Sequence, residues 1–336
     1  MGPIPAPDDL RVELDGRLRG WLAERKGELP YSGMLIDEMS RLLCAGGKRL
    51  RPSFCYWGFR FAGGRHDHSI IQAAASLELL HTFAIVHDDI MDASDERRGE
   101  PSVHVLRGVN VALLVGDLAL VLADDMFMGS GFTPDRLAVA FRAYSRMRQE
   151  VIVGQWLDLE ASSDPFTTEK RARLVARLKS GRYSIEEPLA IGASLGGAEA
   201  SVIEGLARFG APLGEAFQLR DDLLGLFGER ASVGKPVDSD IREGKRTVLY
   251  AKTVARLEGS ERAFFVGRWG AGDDLSLGEI ATLTGLVESS GARTATESLL
   301  EELRAEALGV LEALEMDAFV RAALEDLADL STSRWR

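Results

Sequence analysis

The sequence predicts an all-α protein, a single-domain bundle of long antiparallel helices, and three observations carry that prediction. Proline is absent from residues 53–100, 102–133 and 237–336, so few positions break a helix from within. Ala, Leu, Glu and Arg dominate, and these are good helix formers. Alternating apolar and polar stretches joined by Asn-Gly or Asp-Gly turns are missing, so there is no hairpin signature. With 46% hydrophobic residues among 336 positions, the chain has the material for a sizeable core. No linker, composition shift or solenoid repeat divides it. The expected organisation is a mobile tail over residues 1–9 and one domain over residues 10–336.

The expected helices follow from their punctuation. Gly46-Gly47 ends one helix, and Pro52 suits the first turn of the next. Gly63-Gly64 closes that helix. Ser69 to Asp92 contains neither Gly nor Pro and predicts a long, largely buried helix. Gly99-Glu100-Pro101 reads as a loop. Thr133-Pro134-Asp135 and Ser163-Asp164-Pro165 read as helix starts, and Gly228 to Gly244 reads as a loop. From about Leu275 onward, Leu299, Leu300, Leu303, Leu308, Leu311 and Leu314 mark amphipathic helices without chemistry.

Composition narrows the function. The net charge of -12 offers no global field to nucleic acid or anionic lipid. The two cysteines, Cys44 and Cys55, form no metal-binding spacing and suit a reducing compartment. Met1 to Asp9 has no apolar core and reads as neither signal peptide nor anchor. The most apolar run, Val111 to Ala123, is interrupted by Gly116 and Asp117. It is too short to span a bilayer and reads as a buried helix. The expectation is a cytoplasmic protein with no membrane span and no nucleic-acid partner.

Two acidic clusters carry the chemistry. Asp88, Asp89 and Asp92 sit at the end of the long helix, with Asp88 and Asp92 on one face. Carboxylates so close repel one another, and the helix C-terminus favours cations instead. An acidic cluster in an unfavourable place points to an external cation, and hard oxygen ligands suit Mg²⁺. A solvated helix end is the plainer reading, but Leu77, Leu79, Leu80, Phe83, Ile85 and Val86 put the aspartates at the mouth of an apolar region. The second cluster, Asp221-Asp222, shares a helical face with Gln218 and Gly225, while Leu219, Leu223, Leu226 and Phe227 fill the rest. Two such helices facing one another would make a multinuclear metal cage. Basic residues accompany both clusters: Lys48, Arg49 and Arg51, then Arg97-Arg98, Lys179, Lys235 and Lys245. Each alone reads as a solvated charge. Together, cations beside carboxylates describe a site for a metal-bridged polyanion, and diphosphate fits best.

With these residues assembled, the chain resembles the trans-isoprenyl diphosphate synthase (polyprenyl synthetase) family. The motifs run in the family's order: Gly47-Lys48-Arg49-Leu50-Arg51-Pro52, Glu78-Leu79-Leu80-His81, His87-Asp88-Asp89-Ile90-Met91-Asp92, Arg97-Arg98-Gly99-Glu100-Pro101, Phe217-Gln218-Leu219-Arg220-Asp221-Asp222, and Gly234-Lys235-Pro236 through Gly244-Lys245-Arg246-Thr247. The resemblance implies the isoprenoid synthase fold, an all-α bundle around a central cavity, commonly as a homodimer. It implies that Lys48, Arg51 and His81 grip isopentenyl diphosphate with help from Arg98. Arg97, Lys179, Ser180, Gln218, Lys235 and Lys245 would grip an allylic diphosphate. Asp88, Asp92 and Asp221 would hold Mg²⁺, three ions in all. The catalytic set would be Asp88, Asp92, Lys179 and Asp221. The chain departs from the family's pattern at Gly225, where a third aspartate is common, and at Ser180, where threonine is common.

The implied reaction ionises the allylic diphosphate, adds isopentenyl diphosphate and loses a proton. By the same resemblance, Phe83, five residues before the first motif, with Ala84 beside it, would set a floor for a geranylgeranyl product, with farnesyl diphosphate as the nearest competitor. Two other functions share part of the signature. A terpene cyclase would use the metal motif without Lys48, Arg51 and His81. A non-catalytic partner subunit would not need the intact first motif.

Overall fold

Helix α4 (His68–Met91) is apolar on nearly every face, and such a helix is stable in water only when other helices cover it. In the computed structural model, which describes residues 7–228 and 238–333, α4 is buried almost throughout. Asp67 caps its start, the carboxylate accepting from the Ser69 and Ile70 amides at 2.9 and 3.1 Å. This is the helix predicted over Ser69–Asp92. It is long and apolar enough to cross a bilayer, but most of it is buried inside the protein.

Before α4 come α1 (Pro7–Glu28), α2 (Gly33–Cys44) and α3 (Leu50–Phe61). Helix α1 already includes Pro7, Asp8 and Asp9, which were expected in the tail. After α4 come strands β1 (Glu96–Arg97) and β2 (Glu100–Pro101), then α5 (Val103–Arg107), α6 (Val109–Met128), α7 (Pro134–Ser162) and α8 (Glu169–Ala176). A π-helical segment, Arg177–Glu186, leads into α9 (Glu187–Gly196) and α10 (Ala200–Phe227). Helices Ser239–Glu243, Val248–Arg256, Gly259–Arg268, Leu277–Ser289, Ala292–Ala313 and Ala318–Thr332 complete the described chain.

Three expectations need correction. The loop after α4 contains a two-stranded antiparallel ribbon, Arg97 opposite Glu100, turned by Arg98 and Gly99 at φ 56° and 77°. Two positive φ values in succession make a type I′ turn, which an Arg-Gly pair does not announce as Asn-Gly does. No helix starts at Ser163-Asp164-Pro165. The Asp164 carboxylate accepts from the Phe166 amide at 2.9 Å and forms a local turn, and α8 starts later, capped by Thr168. Part of the loop expected over Gly228 to Gly244 is the short helix Ser239–Glu243.

The chain forms two compact units, one from Met1–Ser145, Glu187–Ala207 and Glu315–Leu327, the other from Arg146–Glu186, Arg208–Leu314 and Ala328–Arg336. Most of the divisions fall inside helices, at residues 145, 207 and 327, so no linker composition marks them.

In the first unit, α3 and α9 touch backbone to backbone. A Cβ on Gly192 would overlap the Cys55 carbonyl, and one on Gly58 would overlap that of Leu189. Helix α6 lies against α4 where Gly116 makes room for the His87 ring. The run Val111 to Ala123, expected as a buried helix, buries one face: Ala112, Val115 and Ala119 are buried, whereas Leu113, Leu114 and Val121 are exposed.

In the second unit, Leu219, Leu223 and Leu226 of α10 pack into a core with Val248, Tyr250, Phe265, Trp269, Leu283 and Leu300. The amphipathic C-terminal helices thus bury one face, as their leucine spacing predicts. The π-helical segment packs closely on α10. A Cβ on Gly214 would lie 2.6 Å from the Gly181 carbonyl oxygen.

Candidate active site

In the first unit, the end of α4 presents its carboxylates unequally. Asp88 keeps a partly open side chain (20% exposed), whereas the Asp89 side chain is buried (3%). The β1–β2 ribbon brings Arg97 onto this pair. Its guanidinium donates to Asp89 Oδ1 from Nε at 2.8 Å and again from Nη2, which also reaches Asp88 Oδ2 at 3.4 Å. Burial works to lower the Arg97 pKa, but Asp89, Asp88 and Asp92 offset it and the net shift is upward. Arg97 therefore compensates the buried carboxylate, and Asp88 keeps an open side.

The basic groups of this unit gather around His81. Burial pushes the His81 pKa well below its usual value, and Arg51, Arg98, Arg97 and Arg49 push it the same way. A neutral imidazole amid cations presents one N–H donor and one acceptor without adding charge. Arg98 is held by donation from Nη1 to the Leu42 carbonyl at 3.2 Å and to the Gly46 carbonyl. Burial lowers the Arg98 pKa, and Arg49, Arg97 and Arg51 contribute, against an opposing pull from Glu78. Lys48 lies on the tight loop between α2 and α3, where Gly46, Gly47 and Arg49 all adopt positive φ (98°, 145° and 52°). Four arginines thus act on one imidazole, with Glu78 as the acidic group among them.

Sequence reasoning passed over the residues that hold this loop. Arg49 is buried and bonded on every side: Nε to Asp15 at 2.7 Å, Nη1 to Glu78 at 2.7 Å, and Nη2 to the Leu43 carbonyl at 2.6 Å. It is a structural anchor between α1, the loop and α4. Its neighbours Lys48 and Arg51 are both partly exposed. The available signal was Glu78, an isolated acid in the apolar middle of α4, which requires a buried cation.

The second unit repeats the acidic pair with different partners. Asp221 is exposed, and Asp222 is buried and accepts from Gln218 Nε2 at 2.7 Å. Burial raises the Asp222 pKa well above its usual value; Asp240, Asp221 and Asp158 add to this, and the Gln218 hydrogen bond opposes it. Lys179, on the π-helical segment, donates to Asp158 Oδ2 at 2.6 Å. Lys245 approaches the same oxygen at 3.6 Å and Glu243 at 3.8 Å. Asp158 thus collects two of the predicted lysines, and sequence reasoning gave it no role. Ser180 is partly exposed beside Lys179. The expected contribution of Lys235 lies outside the described residues.

Phe83, the expected floor residue, is nearly buried and meets the His87 ring edge-on at 4.9 Å. Ala84 is partly exposed beside it. His87 Nε2 lies 3.1 Å from the Leu113 carbonyl oxygen, which ties this part of α4 to α6.

Magnesium suits the donor set. Asp88, Asp92 and Asp221 offer only hard carboxylate oxygens. Among the described residues no group of three or more His, Cys, Asp or Glu forms a ready-made metal cage.

Comparisons with known proteins show what the chain as a whole is similar to. Residues 34–270 match the family described as Polyprenyl synthetase. The chain is 36% identical over 239 residues to the geranylgeranyl diphosphate synthase of Sulfolobus acidocaldarius, covering 70% of this chain and 71% of that protein. It is 34% identical over 294 residues to the (2E,6E)-farnesyl diphosphate synthase of Mycobacterium bovis, covering 86% and 80%. A crystal structure of geranylgeranyl pyrophosphate synthase from Corynebacterium glutamicum, complexed with isoprenyl diphosphate and magnesium, superposes with a TM-score of 0.94 at 35% identity, covering 98% of this chain and all (100%) of that one.

Proposed function

The chain belongs to the polyprenyl synthetase family, and from that premise we propose how its residues divide the work. It is a trans-prenyltransferase that joins isopentenyl diphosphate to an allylic diphosphate and releases a short-chain prenyl diphosphate. Our reading is that Asp88, Asp92 and Asp221 hold three magnesium ions with the allylic diphosphate. The observation that carries it is the repeated split within each aspartate pair: Asp88 and Asp221 are open, whereas Asp89 and Asp222 are buried and bonded inward. Magnesium, when bound, neutralises diphosphate oxygens and so favours departure of the leaving group.

The chain's own groups supply the rest. Arg97, Lys179 and Lys245 take up charge on the departing diphosphate, in the manner of pre-placed cations that need no reorganisation, and the family resemblance adds Lys235 to them. Lys48, Arg51 and Arg98 bind the diphosphate of isopentenyl diphosphate, and neutral His81 donates or accepts one hydrogen bond among them. Gln218 and Ser180 orient the allylic substrate. Apolar side chains such as Phe83 and Val86 exclude water from the allylic cation while the isopentenyl double bond attacks it. Proton loss then completes the new alkene, with the released diphosphate as the candidate base. The arginine set around His81 favours a second diphosphate substrate over the single substrate of a cyclase.

Phe83 is the proposed floor for a geranylgeranyl product. The exposed apolar groups on and next to α6, among them Val105, Val109, Leu113, Leu114 and Val121, support a homodimer formed through that face. The test is incorporation of radiolabelled isopentenyl diphosphate with each short allylic starter, with and without Mg²⁺. Mg²⁺-dependent elongation to a C20 product is expected, and Phe83→Ala should lengthen it. Turnover unaffected by chelator would overturn the metal assignment, and an unchanged product profile in Phe83→Ala would remove Phe83 as the floor.

A further inference from the structure

Helix α7 carries Glu150, Gly154 and Asp158 at intervals of four residues, so the three lie along one stripe of its surface. That stripe faces the π-helical segment Arg177–Glu186. At its middle the two backbones nearly touch. A Cβ built on Gly154 would lie 2.4 Å from the Lys179 amide nitrogen and 2.7 Å from the Lys179 Cα. Glycine weakens a helix interior, and here the close approach requires it. On either side of the crossing α7 offers one carboxylate, and each receives a cation from the segment. Lys179 donates to Asp158 at 2.6 Å, and Arg182 donates from Nη1 to Glu150 Oε1. Arg182 Nε also lies 3.3 Å from Glu186 Oε1.

A π-helix rarely extends beyond one turn, so a segment of ten residues needs restraint from outside itself. Backbone contacts at Gly154 on one side and Gly214 on the other stop the segment from moving toward α7 or α10. Neither contact stops it from turning about the crossing. Lys179 is the proposed grip on the allylic diphosphate, so its pair with Asp158 is shared with substrate once that binds. Arg182 is tied at the far end of the stripe. Glu150 and Asp158 stand eight residues apart, about 12 Å along α7 at 1.5 Å per residue. The Arg182 side chain is 18% exposed, that of Glu150 22% and that of Glu186 9%. Water and salt therefore screen this contact less than one on the open surface. A planar guanidinium also suits two carboxylates at once, as a lysine ammonium does not.

We propose that Arg182 and Glu150 are a positioning pair: they stop the π-helical segment from turning about Gly154 and so hold Lys179 and Ser180 in place for the allylic diphosphate. The inference deepens the reading of Lys179 given above and rests on it. Arg182 acts through Lys179, while Lys179 keeps its ammonium for the substrate.

The test is steady-state kinetics of the full chain with Mg²⁺, varying each substrate in turn. Arg182→Met keeps the length of the side chain and removes its charge. It should raise the KM for the allylic diphosphate about 10-fold or more, the scale of a small misplacement of a binding group. The KM for isopentenyl diphosphate should stay at the parental value. Glu150→Gln, nearly isosteric, should shift the same constant in the same direction. In the Glu150→Gln background, Arg182→Met should add little, because the two act as one unit. Thermal unfolding reports whether each variant is folded, and if Arg182→Met is not, Glu150→Gln alone decides the matter. Three results would overturn the proposal: an unchanged allylic KM, an equal rise in both KM values, or fully additive effects of the two substitutions. Lys179→Met separates the two levels. If it leaves the allylic KM and kcat at parental values, the reading of Lys179 fails and takes this inference with it. If it impairs the allylic substrate while Arg182→Met and Glu150→Gln do not, only the positioning pair falls.

Discussion

The two aspartate pairs look alike in sequence and differ in how the fold treats the inward member. In the first unit, Asp89 is buried against the Arg97 guanidinium, a full cation whose Nε and Nη2 both donate to Oδ1. In the second, Asp222 is buried against the Gln218 amide, with Asp240, Asp221 and Asp158 nearby, and its pKa is raised. A cation beside a carboxylate favours its charged form, whereas burial and neighbouring carboxylates disfavour it. The same Asp-Asp motif therefore anchors its inward member on a cation in one place and on a neutral amide in the other. In both, the first aspartate of the pair is the more exposed one.

The comparison can be broken in four ways. The largest effect should come from the open members. Asp88→Asn and Asp221→Asn are each expected to lower kcat by about 10²–10³-fold, the scale for losing one electrostatic contact to a developing charge. Steady-state rates at saturating Mg²⁺ check this, and equal activity to the parent in either variant would sink the role of that carboxylate.

The inward members should separate sharply in stability. Asp89→Asn leaves Arg97 buried with a weakened partner and should cost about 3 kcal/mol. Asp222→Asn removes a carboxylate whose charged form burial disfavours, keeps nearly the same shape, and should stay within about 1 kcal/mol. Denaturant unfolding of the two variants measures both, and similar costs would mean that the two pairs are not held differently.

A smaller effect tests the π-helical segment that carries Lys179. Gly181→Ala would put a Cβ 2.9 Å from the Gly214 carbonyl carbon, and overpacking of this kind costs about 1–3 kcal/mol. A rise in KM for the allylic substrate at near-parental kcat would show that Lys179 has been displaced. No change in either stability or KM would show that the segment yields freely.

The smallest is a pH effect at His81. Its pKa is lowered in the folded state from 6.5. Below that value the unfolded chain takes up a proton that the folded chain refuses. Folding stability should therefore fall with decreasing pH from about 6.5 toward the lowered value, by up to about 1.4 kcal/mol per pH unit. Above the unfolded value His81 contributes no slope. Urea unfolding from pH 7.5 to 5.5 should show this decline in the parent and a shallower one in His81→Gln. Matching slopes would show that His81 titrates normally.

Much of this was legible in the sequence because it rests on local pattern. The length of α4, the amphipathic C-terminal helices and the ordered acidic and basic motifs follow from spacing along one chain, which fixes what shares a helical face. The sequence also marked Gly225 as a departure. Arg49 was illegible as an anchor, because its partners Asp15 and Glu78 lie 34 and 29 positions away. Asp158 was passed over for the same reason: its value comes from Lys179 and Lys245, which other elements deliver.

Sequence by itself determined the helical class, the family and the set of charged groups, since residue type and spacing are sufficient for those. Only the tertiary structure decided which aspartate of each pair turns inward, which arginine holds the loop, and that Lys179 and Lys245 meet at Asp158. Burial and distance set those outcomes, and both arise from residues far apart in the chain being brought within a few ångströms.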